Sequence, residues 1–206
     1  MMMKVVIATH NKDKLKELKR GLSNPNIELL DLSFFPEIGE IIEDGDTLKA
    51  NALIKARAVH QLTSLPAISD DTGLAVDALN GRPGVYSARY AGENSTYLDN
   101  VNKMLSEMKN VPGNRRTANF STVMAYVDDK RELTTEGVVK GVITNKIKGI
   151  GGFGYDSIFY VHNKGKTFSE MTIEEKNLVS HRSKAIEALK AKLATYLTNL
   201  NTKENA

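Results

Sequence analysis

The chain has 206 residues, with 28 basic and 25 acidic side chains and a formal charge of +3, enough for one well-buried domain or two small lobes. It contains no cysteine, which excludes disulfides, thiolate catalysis, iron–sulfur clusters and cysteine-held zinc. No apolar run approaches the ~20 residues that span a bilayer, and no basic block is long enough to act as a nucleic-acid arm, so neither a membrane nor a stable nucleic-acid partner is expected.

Residues 4–9 (KVVIAT) form a short β-branched apolar run and predict a buried strand. The segment before it lacks the apolar stretch of a signal peptide, so a cytoplasmic location is expected. Asn11 caps the helix that follows, in which Leu15, Leu18 and Leu22 fall at helical spacing and Gly21 sits near the end. A second strand is predicted near residues 27–30. Residues 31–46 mix prolines, acids and isolated apolars, and read mainly as loop. Thr47 caps a second helix with Leu48, Ala52, Val59 and Leu62 as its core stripe and Lys49, Lys55 and Arg57 largely off it. Residues 67–69 predict a third strand that delivers Asp70 and Asp71 at a turn.

Strands alternating with helices argue for an α/β fold with crossover connections. Such folds place ligands beyond the carboxyl ends of their strands. Thr9 and the Asp70-Asp71 pair both lie at such ends in this reading.

A helix over residues 95–108 presents Tyr97, Val101, Met104, Leu105 and Met108 on one face. Residues 118–127 predict a strand, Asp128-Asp129 a turn, and residues 131–135 and 137–143 two further strands of an antiparallel set. One extended mixed sheet, or a sheet with a second lobe, satisfies this order. Ser180 is placed to cap a last helix whose stripe is Ala185, Ile186, Leu189, Leu193, Tyr196, Leu197 and Leu200, and residues 201–206 are expected to fray.

Four groups of residues carry chemistry. Thr9, Asn11, Lys12 and Lys14 sit where a strand becomes a helix, where free N–H groups and the helix dipole favour anions. The same residues also describe a capped helix with surface lysines. Asp70 and Asp71 suit a divalent cation held against phosphate, or a solvated turn rich in Asp, Thr and Gly. Adjacent strand residues point to opposite faces, so one of the pair reaches a given pocket. The stretch Glu40, Glu43, Asp44 and Asp46 can add a Mg²⁺ ligand or be an acidic surface loop. In residues 150–159 (IGGFGYDSIF), glycines beside Phe153 let a planar ligand approach ring and backbone, or make a tight turn with Phe153 in the core. Lys176, His181 and Arg182 gather near the start of the last helix, where they can bind phosphate or read the oxygen-rich edge of a purine.

With these residues in view, the chain resembles the inosine triphosphate pyrophosphatase family, the Ham1-like nucleoside triphosphate pyrophosphatases. The matching strings are VVIATHNKDKLKEL, EDGDTLKANALIKA, SDDTGLAVDALNGRPGVYSARYAG, GGFGYDSIF and EEKNLVSHRSKA, in that order. The resemblance implies an α/β fold with an elongated mixed sheet flanked by helices. It implies one domain over residues 1–206, of two lobes with a nucleotide cleft, assembled as a homodimer. It implies Mg²⁺-dependent hydrolysis of inosine, deoxyinosine and xanthosine triphosphates to monophosphate and pyrophosphate.

Carried over by residue, Thr9, His10, Asn11, Lys12, Asp13 and Lys14 match the family's phosphate-binding turn. Glu43 and Asp71 match its metal positions, Asp71 is also its base, and Thr72 matches a substrate contact. Phe153, Gly154, Tyr155, Asp156, Lys176, His181 and Arg182 match its nucleoside pocket. Two positions depart from the family pattern: Ala50 stands where a glutamate is usual, leaving Glu43 and its neighbours to serve, and Ser157 stands where proline is frequent. A phosphatase releasing orthophosphate from nucleotides or sugar phosphates, and a non-enzymatic nucleotide-binding module, are the competing functions.

Overall fold

The structure is a computed structural model and describes residues 2–204. An open mixed sheet of eight strands is flanked by helices. The first strand, β1 (Met3–Ile7), leads into helix α1 (Lys12–Gly21) and strand β2 (Ile27–Asp31). Helix α2 (Leu48–Thr63) then precedes β3 (Ala67–Val76), and the short β4 (Pro83–Gly84) follows. After helix α3 (Tyr97–Glu107) come β5 (Thr117–Val127), β6 (Glu132–Ile143), β7 (Phe159–Val161) and β8 (Lys166–Thr167). A short helix α4 (Ile173–Asn177) and the long α5 (His181–Glu204) complete the chain. The strand order is β2-β1-β3-β5-β6-β7-β8, with β4 paired to β3 off that path. Strand β1 pairs in parallel with β2 and β3, as crossover helices require, whereas β4, β7 and β8 pair antiparallel.

The chain divides into two compact units. Unit one comprises Met1–Asp71, Thr122–Gly137 and Arg182–Ala206. Its sheet is covered on both faces, which is why β1 reads as a continuous apolar run rather than an alternation. Val5 and Ile7 join Leu18, Ile68, Met124, Ile186 and Leu189 on the face of α1 and α5. Val6 and Ala8 turn the other way, toward Leu30, Val59 and Ala67. Val5, Val6 and Ile7 are fully buried, each contributing about 1.5–3 kcal/mol of transfer free energy.

Unit two comprises Thr72–Ser121 and Val138–His181. It has its own core, where Val101, Met104 and Met108 of α3 pack with Phe120, Tyr155, Phe159 and Phe168.

Several sequence expectations change. Strand β3 does not stop at Ser69 but continues to Val76, so Asp70 and Asp71 lie inside it. Leu74 and Val76 keep an apolar face beyond the acids, and Leu74 and Ala75 pair with β4. The two strands expected over residues 131–143 are the single strand β6, in which Glu136 and Gly137 keep the alternation of exposed and buried positions. On α2, Ala52 and Val59 are buried as expected, but Lys55 is buried with them and Leu62 is 63% exposed. Tyr97 is exposed at the start of α3 and lies against Phe153 instead of in the core. The expected frayed tail is helical as far as Glu204, and residues 205–206, like the side chain of Leu200, lie outside what the structure describes.

Candidate active site

The candidate site begins with the alternation of β3. Ile68 and Asp70 face α1 and α5, while Ser69 and Asp71 face α2, where the Ser69 hydroxyl donates to the Ala52 carbonyl. Asp70 is fully buried. Its Oδ2 accepts from Arg182 Nε at 3.1 Å and Nη2 at 3.0 Å and lies 3.5 Å from Lys14 Nζ. Arg182 Nη1 donates to Glu17 Oε2 at 2.5 Å. Lys14 and Glu17 stand three residues apart on α1, and Arg182 stands in the first turn of α5, so two helices deliver this network to one carboxylate. Burial opposes the charge on Asp70, but Lys14, Arg182 and Lys55 together outweigh it and hold the carboxyl below the usual carboxylate range. Burial also pushes the Lys14 ammonium below the usual lysine range, against the pull of Asp70.

Asp71 stands in the opposite electrostatic state. Burial pushes its pKa up, Glu43 and Asp70 add to the rise, and Lys55 and Lys14 offset part of it. Lys55 Nζ donates to Glu43 Oε2 and lies 3.8 Å from Asp71 Oδ1. Glu43 and Asp71, the two residues matched to metal positions, therefore converge on one positive charge.

That donor set fits Mg²⁺. Its oxygens are hard, and Mg²⁺ in nucleotide sites takes one or two carboxylates plus phosphates and waters rather than a protein cage. Among the described residues there is no cluster of three or more metal-ligating side chains, as that mode of binding allows.

At the turn after β1, Asn11 caps α1, its Oδ1 accepting from Asp13 N and Lys14 N at 3.0 Å. Thr9 Oγ1 accepts from Asn11 N at 3.2 Å, and His10 Nε2 lies 3.0 Å from the Gly39 carbonyl. Lys12 is exposed, and Asp13 lies 3.9 Å from Lys16.

Unit two holds the second set. Asp156 is buried, and its Oδ2 accepts from Lys176 Nζ at 2.6 Å and from Phe153 N at 3.0 Å. Gly152, at φ 73°, is needed here because a Cβ would collide with Asp156. Lys176 Nζ lies 4.9 Å from the Phe153 ring centroid, and that half-buried ring stands 5.8 Å from Tyr97. His181 stacks on Phe120 with centroids 4.5 Å apart and planes 6° apart. A cation above a partly open aromatic face, fixed by a carboxylate, is suited to a planar heterocycle. Gly154 also adopts positive φ, and Thr72 is half-buried directly after Asp71.

Arg182 and Tyr155 take unexpected places. Lys176 and His181 join the aromatic set of unit two, whereas the Arg182 guanidinium, 2% exposed, is committed to Asp70 and Glu17 instead of a purine edge. Tyr155 is a core residue, with its hydroxyl donating to the Ser87 carbonyl at 2.9 Å.

Sequence reading missed Lys55, Glu17 and Phe120. For Lys55 a signal existed, since it stands three residues after Ala52 and four before Val59, on the buried stripe. Glu17 and Phe120 carried no local signal.

The sequence model of the Ham1 family matches residues 5–192. A dITP/XTP pyrophosphatase from Thermoanaerobacter sp. (strain X514) is 47% identical over 188 residues, covering 91% of this chain and 95% of the relative. Its counterpart in Escherichia coli (strain K12) is 45% identical over 194 residues, covering 91% and 96%. Among solved structures, a HAM1 protein from Coxiella burnetii superposes with a TM-score of 0.86 at 38% identity, covering 94% of this chain and 100% of that one.

Proposed function

The chain belongs to the Ham1 family, and from that premise we propose that it is a nucleoside triphosphate pyrophosphatase that clears non-standard purine nucleotides. It cleaves the α–β phosphoanhydride of ITP, dITP or XTP and releases nucleoside monophosphate and pyrophosphate. The observation that carries this reading is the division of labour on β3, where Asp70 is bound by Arg182 and Lys14 while Asp71, on the opposite face, stands beside Lys55, which holds Glu43. Adjacent carboxylates separated in this way suit a structural anchor and a proton acceptor.

Asp71 takes the proton of the attacking water. Lys14 and the positive dipole end of α1 hold phosphate oxygens. Phe153 stacks on the base, adding affinity without choosing among purines. Mg²⁺, held by Glu43 and Asp71, would neutralise phosphate charge when bound.

The test is a product-resolved panel of ITP, dITP, XTP, GTP and ATP, with and without Mg²⁺. Pyrophosphate with monophosphate supports the reading. Stoichiometric orthophosphate defeats it in favour of a phosphatase, and tight binding without turnover favours a nucleotide sensor. Lys14→Ala is expected to weaken inosine triphosphate more than inosine monophosphate in calorimetry without Mg²⁺, because the lost charge acts on the distal phosphates. Equal losses for both ligands would remove Lys14 from the phosphate end.

No helix among the described residues is long and apolar enough to cross a membrane. A homodimeric assembly belongs to the same reading and rests on the family resemblance, while a cytoplasmic location and the absence of a stable nucleic-acid partner rest on the sequence features given above. A light-scattering mass of 22.7 kDa at micromolar concentration would refute the dimer.

A further inference from the structure

We propose that Tyr97 is a second aromatic contact for the purine base, beside Phe153, a role that rests on the nucleotide reading above. Both residues, and every anchor that holds them, lie in unit two. Val101 and Met104 follow Tyr97 by four and seven residues, so the three share one face of α3. Val101 and Met104 are buried in the core, whereas Tyr97, one turn earlier, is 42% exposed. Its ring lies against Phe153, with centroids 5.8 Å apart and planes tilted by 42°. Phe153 is itself half-buried. At that tilt the rings touch without stacking face to face, so neither covers the other.

Both rings stand on backbone fixed by buried polar side chains. Asn100 accepts from the Ala91 N–H at 2.7 Å and donates to the Ala88 carbonyl at 2.9 Å, which fastens the first turn of α3 to the segment before it. A capping box adds to this, with Asp99 accepting from the Thr96 N–H at 2.9 Å and Thr96 Oγ1 accepting from the Asp99 N–H at 3.2 Å. Asp156 does the same for the glycine loop through the Phe153 N–H. Asn100 and Asp156 are each 3% exposed. Two rings held in place before a ligand arrives lose little further freedom when one binds. A planar heterocycle gains from both π-faces, while a phosphate or a sugar gains little from either.

Three variants separate a contact with the base from simple packing behind Phe153. Tyr97→Phe keeps the ring and removes the hydroxyl. Tyr97→Leu keeps apolar bulk against Phe153 without a ring. Tyr97→Ala removes both. Position 97 is exposed, so none of these opens a core cavity. The full chain and the variants are compared by calorimetry with inosine monophosphate and with inorganic pyrophosphate, and by ITP kinetics with Mg²⁺. Nuclear Overhauser transfer is measured from tyrosine ring protons to H2 and H8 of bound inosine monophosphate.

Tyr97→Phe is expected to bind inosine monophosphate within about 2-fold of wild type, and Tyr97→Leu and Tyr97→Ala about 5- to 10-fold more weakly. The contact acts on ground and transition states alike, so KM for ITP rises by a similar factor with kcat within about 2-fold. Pyrophosphate has no base and should bind every variant within about 2-fold of wild type. Transfer from a tyrosine to the base should be present in the wild type and lost in Tyr97→Leu. Full inosine monophosphate affinity in Tyr97→Leu would overturn the proposal and leave Tyr97 as packing for Phe153. An equal loss of pyrophosphate affinity, or no tyrosine-to-base transfer in the wild type, would overturn it as well. A wild type that shows the transfer but hydrolyses no ITP refutes the pyrophosphatase reading alone, and one that binds neither inosine monophosphate nor ITP refutes both.

Discussion

Asp71→Asn is expected to lower turnover of ITP by about 10²-fold or more while leaving a folded protein. The amide keeps the shape of the carboxylate but accepts no proton. In the metal-free protein the Asp71 carboxyl is shifted upward from the ordinary aspartate range. Burial supplies that shift, helped by Glu43 and Asp70 and held in check by Lys55 and Lys14.

The same shift fixes the sign of the stability change. A carboxyl whose folded pKa is raised contributes stability below its unfolded value, about 3.9, and that contribution is lost as pH rises through the folded value. At neutral pH the ionised Asp71 is therefore a burden on the fold, and Asn relieves it. Lys55 keeps Glu43 as a partner in the variant. Thermal melts at pH 7 should show Asp71→Asn at least as stable as the wild type, with pyrophosphate release measured on the same preparation. Near-wild-type turnover in that folded variant would remove Asp71 from the chemistry. Function kept at the expense of local stability is a common property of catalytic carboxylates.

The helix starts were legible in the sequence because capping is local. Asn11 and Thr47 each accept from N–H groups two or three residues ahead, so a short window holds both partners. The apolar stripe of α5 was legible for the same reason, since Ala185, Ile186, Leu189, Leu193 and Tyr196 repeat at helical spacing and are buried. The course of β3 was not. Two successive aspartates read as the end of a strand, because charge is rarely buried without partners. Here the partners come from α1, α2 and α5, and Arg182 lies 112 residues from Asp70 in sequence. No local window contains them, so the strand was ended too early.

Residue type misled in the same way at Lys55, where periodicity placed the side chain inward and its charge argued outward. Arg182 was assigned to a purine edge because its neighbours Lys176 and His181 suit one. A single step along the chain at the start of α5 instead sends its guanidinium to Asp70. The family strings matched Asp71 and Arg182 to site positions, yet only burial and pairing set Asp70 against Arg182 and Lys14 and Asp71 beside Lys55.

Asp70→Asn should act on stability far more than on turnover per folded molecule. It strips the buried carboxylate from Arg182 and Lys14, leaving Glu17 as the acid still bonded to Arg182. Removing one partner of a buried ion pair costs about 3–5 kcal/mol, because a charge is left inside without compensation. Set against a total stability of about 5–15 kcal/mol, that loss moves a urea midpoint strongly at pH 7. A surface pair such as Arg57–Glu132, with side chains 53% and 41% exposed, is worth no more than about 1 kcal/mol by comparison.

The pH dependence carries a definite sign. The folded pKa of Asp70 is lowered, with burial opposing the charge and Lys14, Arg182 and Lys55 prevailing over it. Its stabilisation is therefore complete above the unfolded pKa of about 3.9 and is lost as pH falls toward the folded value. The stability gap between wild type and Asp70→Asn should be constant from pH 7 to about pH 5 and begin to shrink below about pH 4. A gap under about 1 kcal/mol at pH 7, or one that grows on acidification, would show that Asp70 is not the anchor of this network. Paired with a stable but inactive Asp71→Asn, this result would separate two adjacent aspartates by face alone: one holds α1 and α5 on the sheet, and the other is left to act on water.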